Sequence, residues 1–215
     1  MAGEPESLDQ DEPLAAHLQR HDYDRLLMLS DGVFAIAITL LALDLKPPAS
    51  WDGRMSTFLQ GLGHHGVAYA AGFFVVAVFW LLHRRLFARL RRVDRVITGL
   101  ALLLLCLVTG APMVAQAIAD HGLAAALPLY VLLVAAIAGC QALMWAWAMG
   151  VPGAIHPALG IAERRRELLR FSLPAVVFGC LFGASATGLV TIAADSLAAA
   201  AVALAIGRAI LLRRR

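Results

Sequence analysis

Residues Asp24–Lys46 read DRLLMLSDGVFAIAITLLALDLK. Arg25, Ser30 and Asp31 fall in the first two turns of an otherwise apolar segment, and twelve uncharged residues follow before Asp44 and Lys46. Pro47 and Pro48 then stop any helix, because proline has no amide hydrogen and its ring collides with the preceding turn. The segment is expected to be a membrane-crossing helix. A carboxylate in a bilayer costs about 2.5–3.5 kcal/mol at the helix centre and less toward an end. Asp31 is therefore expected to face other helices or water and to mark a functional position.

Composition supports the same reading along the whole chain. Hydrophobic residues make up 60% of the sequence and charged ones only 15%, against about 25% charged in soluble domains. Met55–Leu82 and Val96–Ala119 carry no Asp, Glu, Lys or Arg, and each is longer than the roughly 20 residues a helix needs to cross the hydrocarbon. Six apolar segments are expected to span: 26–45, 57–83, 96–118, 123–148, 169–190 and 192–212. Residues 1–23 are acidic and polar, unlike a signal peptide, and read as a flexible cytoplasmic tail with helical character toward Leu14–Tyr23. Residues 24–215 read as one all-α membrane domain.

Basic residues orient the spans. Of the 18 Lys and Arg, all but Lys46 and Arg54 fall in the alternate connections and the two ends of the chain. Both termini are then expected in the cytoplasm, which requires an even number of spans. The net charge of +3 is explained by these flanking arginines, and no basic face interleaved with aromatics points to nucleic acid. Trp51, Trp145 and Trp147 read as interfacial anchors. Cys106, Cys140 and Cys180 form no CxxC or CxxH pattern, so no metal centre or disulfide framework is expected, and each reads as a small buried hydrophobe.

The chemistry concentrates on the first helix. Ile36, Thr39 and Leu43 fall on one stripe at helical spacing, with Leu40 beside it, while Gly32, Ala35, Ala37 and Ala42 permit close helix approach. Periodicity alone leaves that stripe open as a lipid-facing or packing face. Arg25, Ser30 and Asp31 sit at its cytoplasmic end. Trp80 and His83 on the returning second helix lie at the same depth, where indole and imidazole donors could satisfy the Asp31 carboxylate.

The run Arg25-Leu-Leu-Met-Leu29-Ser30-Asp31, followed by GVFAIAITLL, resembles the first helix of prokaryotic homologues of the lysosomal potassium channel, the transmembrane protein 175 family. That family's signature is Arg-x-x-x-Phe-Ser-Asp. Leu29 stands where the signature has Phe, while the ionisable and hydroxyl positions match. Trp80-x-x-His83, the six spans and the inside termini also agree.

The resemblance implies a homotetramer in a bacterial cell membrane, each chain supplying its first helix to a central pore for potassium, with no cofactor. It places Ile36, Thr39 and Leu43 on the pore and Asp44 at the outer mouth, and makes Arg25, Ser30, Asp31, Trp80 and His83 a structural network. No TVGYG-like loop offers a carbonyl filter, so Ile36 is expected to form an apolar constriction that gates by wetting, with a ring of Thr39 hydroxyls one turn outward.

Three other functions remain open. An ion-coupled secondary transporter would need midplane charges or broken helices, of which Asp31 and Pro112, Pro128 and Pro174 are the only traces. An enzyme is disfavoured, since HExxH, GxSxG and paired carboxylates are missing and His64 and His65 point about 100° apart. A passive scaffold leaves Arg25, Ser30 and Asp31 without a role. The basic stretch RRLFARLRRVDR reads as a topology determinant or as a contact for anionic lipid heads.

Overall fold

The protein, seen in a computed structural model, is described over residues 14–43, 45 and 51–186. Six helices follow in order: α1 Leu14–Leu43, α2 Met55–Phe87, α3 Arg95–Val108, α4 Ala111–His121, α5 Leu123–Gly150 and α6 Ile161–Ala186. They supply five stretches long and apolar enough to cross a membrane, with α3 and α4 together making the third. The segment 192–212, expected as a sixth span, lies outside the described residues, as does Asp44.

The third span is two helices because Pro112 occupies the first turn of α4 and cannot donate to the carbonyl of Val108. The chain tightens there instead, and the Gly110 amide reaches the Leu107 carbonyl at 3.0 Å. A second break lies inside α2, where Gly63 adopts φ 38° and ψ −125°. Residues with a Cβ rarely adopt that conformation, so glycine is what permits the bend.

Helix α2 lies against α1 and α4, while α5 joins α3 and α4 to α6. Phe34, Phe87, Ile97, Leu104, Ile118, Ile137, Met144 and Trp145 are among the most deeply buried side chains. A Cβ on Gly72 would lie 2.8 Å from Leu41 Cδ2, so the missing side chain is what lets α1 and α2 approach.

The arginine-rich end is tied by loops. Leu90 pairs antiparallel with Ile155, the Arg91 amide donates to the Ala154 carbonyl at 2.8 Å, and the His156 amide to the Arg89 carbonyl at 3.0 Å. Asp94 caps α3 by accepting from the Ile97 amide at 2.8 Å and takes the Trp147 indole N–H at 2.8 Å. Burial opposes ionisation of Asp94, but these donors outweigh it and hold the carboxyl below its ordinary value.

Two side-chain expectations change. Trp145 is not an interfacial anchor: it is fully buried against Phe171 and donates its N–H to the Arg164 carbonyl at 3.0 Å, so α6 supplies the polar partner that water would have given. Of the three cysteines only Cys140 is buried. Cys106 and Cys180 lie on exposed helix faces, because an apolar run in a membrane protein need not face the protein core.

Candidate functional site: the first helix and its seat

Two faces of α1 divide by helical period. Leu26, Ser30, Phe34, Ala37 and Leu41 are buried at spacings of three and four, against the rest of the bundle. The opposite face carries Leu29, Ile36 and Leu43 at seven-residue intervals with Thr39 beside them. Ile36 is 58% and Leu43 70% exposed in the single chain. Leu40, also exposed, borders this line.

The Thr39 hydroxyl donates to the carbonyl of Ile36 at 2.9 Å. Its proton is thereby committed to its own helix, and the oxygen lone pairs are left for a ligand on the exposed face.

The polar group at the foot of α1 separates into parts. Trp80 Nε1 donates to Asp31 Oδ1 at 2.8 Å, joining α1 to α2, and the Arg84 guanidinium lies 5.7 Å from the Trp80 ring centroid. Ser30 is buried but turns its hydroxyl to the Leu26 carbonyl at 2.7 Å, within its own helix. His83 is buried between Phe34 and Phe87, with ring centroids 5.6 and 4.5 Å away, and neither of its nitrogens has a hydrogen-bond partner. Arg25 is exposed, and no ion pair joins it to Asp31 among the described residues. The structure thus brings Asp31 and Trp80 together by a hydrogen bond, sets His83 beside them as a packing group, and leaves Ser30 and Arg25 to other surroundings.

One further anchor appears that sequence reasoning did not name. The Tyr23 hydroxyl donates to the Phe87 carbonyl at 2.8 Å, fastening the start of the membrane-crossing part of α1 to the end of α2.

At the far end of the bundle, Asp52 precedes α2 and accepts from the Thr57 hydroxyl and, at 3.0 Å, from the Arg54 amide. The Thr57 hydrogen bond is the main reason its carboxyl stays below the ordinary carboxylate range. A charged carboxylate therefore stands at that end.

The largest polar cluster among the described residues lies elsewhere. Glu167 of α6, almost wholly buried, accepts from Arg85 Nη2 at 2.9 Å and Arg170 Nη1 at 2.8 Å, and Arg89 Nη2 lies 3.3 Å away. Arg85 Nε also reaches the second carboxylate oxygen at 3.3 Å. A faint signal for this is Glu167 itself, two turns into a helix start that is rich in arginine and also carries Glu163. Its partner Arg85 stands 82 positions away, beyond any local pattern. No group of three His, Cys, Asp or Glu side chains gathers to hold a metal among the described residues.

Together these features define a multi-spanning helical membrane protein whose first helix is pinned on one face and turns an unpartnered apolar stripe outward. The profile of a family described as "Endosomal/lysosomal potassium channel TMEM175" matches residues 25–112. A potassium channel of Streptomyces collinus is 32% identical over 183 residues, covering 81% of this chain and 88% of the relative. The "Endosomal/lysosomal proton channel TMEM175" of Bos taurus is 34% identical over 102 residues, covering 43% of this chain and 21% of that protein. Among solved structures, a lysosomal potassium-selective channel TMEM175 homologue from Chamaesiphon minutus superposes with a TM-score of 0.67 at 25% identity, covering 86% of this chain and 98% of that one. The chain belongs to the TMEM175 family.

Proposed function

We propose that this chain is one subunit of a homotetrameric, potassium-permeable channel of a bacterial cell membrane, with α1 of each subunit lining a central pore. The observation that carries the reading is the exposed line of Ile36, Thr39 and Leu43 on a helix whose other face is packed and hydrogen-bonded. A lipid-facing helix has no need of an outward hydroxyl oxygen. A pore does.

In this reading four Ile36 side chains make the narrowest point. A cation there loses part of its hydration, and wetting of the constriction decides whether it conducts. Thr39 stands about 4.5 Å further along the axis at 1.5 Å per residue and offers four oxygens whose protons are already engaged. Leu43 forms a second apolar ring about 10.5 Å beyond Ile36. Asp44 then draws cations toward the outer mouth.

Six spans, with residues 192–212 as the last, keep both termini and the arginine-rich end in the cytoplasm. Asp31, Trp80 and His83 act as the seat of the pore helix, with Arg25 and Ser30 at its foot. Potassium is cargo, and no cofactor takes part. The relatives carry both potassium-channel and proton-channel names, and a wetting constriction without a carbonyl filter suits modest discrimination.

The test is potassium flux into liposomes for Ile36→Ala, Ile36→Asn and Ile36→Cys, with thiol-reagent block of the last. Faster flux in Ile36→Asn and block of Ile36→Cys are expected. Unchanged flux throughout and an unreactive cysteine would remove Ile36 from the pathway. Flux that saturates and follows the gradient of a second ion would show a coupled transporter instead.

A further inference from the structure

Residues 83–95 and 160–170 hold ten arginines against three carboxylates, all at one end of the bundle. Most such arginines only orient a membrane protein. Three are different, because α2 with its following turn and α6 bring Arg85, Arg89 and Arg170 to the single carboxylate of Glu167.

The geometry leaves donors to spare. Arg85 spends one edge of its guanidinium, Nε and Nη2, on Glu167, and its Nη1 is not among the enclosed unpartnered atoms. About a quarter of the Arg85 side chain and a fifth of that of Arg89 stay accessible, at 25% and 22%. Arg89 gives Nη1 to the Arg85 carbonyl at 3.0 Å, while its Nε is enclosed with no acceptor. Burial pushes the Arg89 guanidinium below its ordinary value, the nearby Glu167 and, more weakly, Glu163 oppose this, and Arg85 and Arg170 add to it. At the carboxylate itself, three guanidinium groups meet one negative charge.

We propose that the Arg85–Arg89–Glu167–Arg170 cluster seats the phosphate of an anionic membrane lipid between α2 and α6. A guanidinium edge matches two phosphate oxygens, which is why arginine serves where paired recognition of phosphate is needed. Basic pockets between membrane helices hold lipid heads on the same physical basis. The cluster sits where such a head would lie, at the arginine-flanked ends of two spans. Glu167 holds the three forks in place and leaves part of Arg85 and Arg89 accessible.

The test uses the full chain in nanodiscs of phosphatidylcholine with phosphatidylglycerol, counting phosphatidylglycerol retained on the protein by native mass spectrometry. Arg85→Gln and Arg89→Gln are each expected to lower retention about fivefold. Arg165→Gln removes an exposed arginine outside the cluster and should leave retention unchanged. Arg85→Lys keeps the charge and the ion pair but not the fork, so it guards against misfolding and should still lose most of the retained lipid. Equal loss in Arg165→Gln and Arg85→Gln, or wild-type retention in Arg85→Lys, would overturn the seat. Displacement of phosphatidylglycerol by millimolar inorganic phosphate would overturn the lipid as its occupant.

Discussion

Replacing Glu167 by Gln keeps the side-chain shape and one carbonyl acceptor but removes a charge shared by three arginines. The carboxylate is 4% exposed, and guanidinium nitrogens lie 2.9, 3.3 and 2.8 Å from Oε1. At an effective dielectric of about 20, one such contact is worth roughly 6 kcal/mol of gross attraction. Desolvation of the carboxylate and repulsion among the arginines offset most of the sum. Breaking a buried pair costs about 3–5 kcal/mol net, and the arginines' partial access to water puts this case near 3 kcal/mol. For a chain of this size that is a fall of about 6–12 °C in unfolding temperature. Thermal unfolding in one detergent at one scan rate measures it, and a double-mutant cycle with Arg85→Gln isolates the shared part. A fall of less than about 2 °C, or a coupling below about 0.5 kcal/mol, would refute the claim that this carboxylate holds α2 and α6 together.

Trp80→Phe removes the indole N–H from Asp31 while keeping an aromatic ring beside Arg84; it should cost about 1 kcal/mol by denaturant titration, and Asp31→Ala added to it should cost little more. Gly72→Ala places a methyl 2.8 Å from Leu41 Cδ2, so α1 should shift and potassium flux change, with Leu41→Val restoring it. Thr39→Val should slow potassium flux several-fold while Thr39→Ser should not, because only the hydroxyl oxygen is at stake. For Asp94, whose carboxyl is held below its unfolded value, the stabilisation is present above about pH 4 and lost as pH falls through the folded value. The unfolding temperatures of wild type and Asp94→Ala should therefore converge on acidification from pH 6 to pH 3.

The spans were legible because membrane helices advertise themselves by length and lack of charge; α2 and α5 follow the expected segments closely, while α1 begins at Leu14, twelve residues before the expected start. Pro112 was visible but its effect was not, since a proline near a span's middle can bend a helix or divide it according to what its neighbours satisfy. Asp31 and Trp80 could be paired because antiparallel helices put positions of known depth side by side. Which group the carboxylate would choose was beyond that argument: Phe34 and Phe87 enclose His83 and leave the indole as donor. Trp145 misled for the same reason. Its sequence position fits an interface, and only the fold brings the Arg164 carbonyl to it. The Glu167 cluster stayed hidden because two helices far apart in sequence build it.

The seat of α1 is what turns these contacts into a channel argument. Asp31 and Leu41 stand five residues either side of Ile36, and both meet α2, one through the Trp80 indole and the other at the gap left by Gly72. At 100° per residue, five residues are 140° around the helix, so the two contacts flank the direction opposite Ile36 evenly. A helix held at those two points cannot roll either way without straining one of them, and Ile36 stays on the exposed side of α1. The Tyr23 bond to the Phe87 carbonyl adds a third hold at the foot. In the proposed tetramer, the width of a four-fold Ile36 ring would then be set by how α2 carries α1, not by rotamers of isoleucine alone. A change at Trp80 or Gly72, neither of which lies on the exposed line, should therefore alter flux as strongly as a change at Ile36. Normal flux in Gly72→Ala, with α1 shown displaced by crosslinking to α2, would break this link between the seat and the pore.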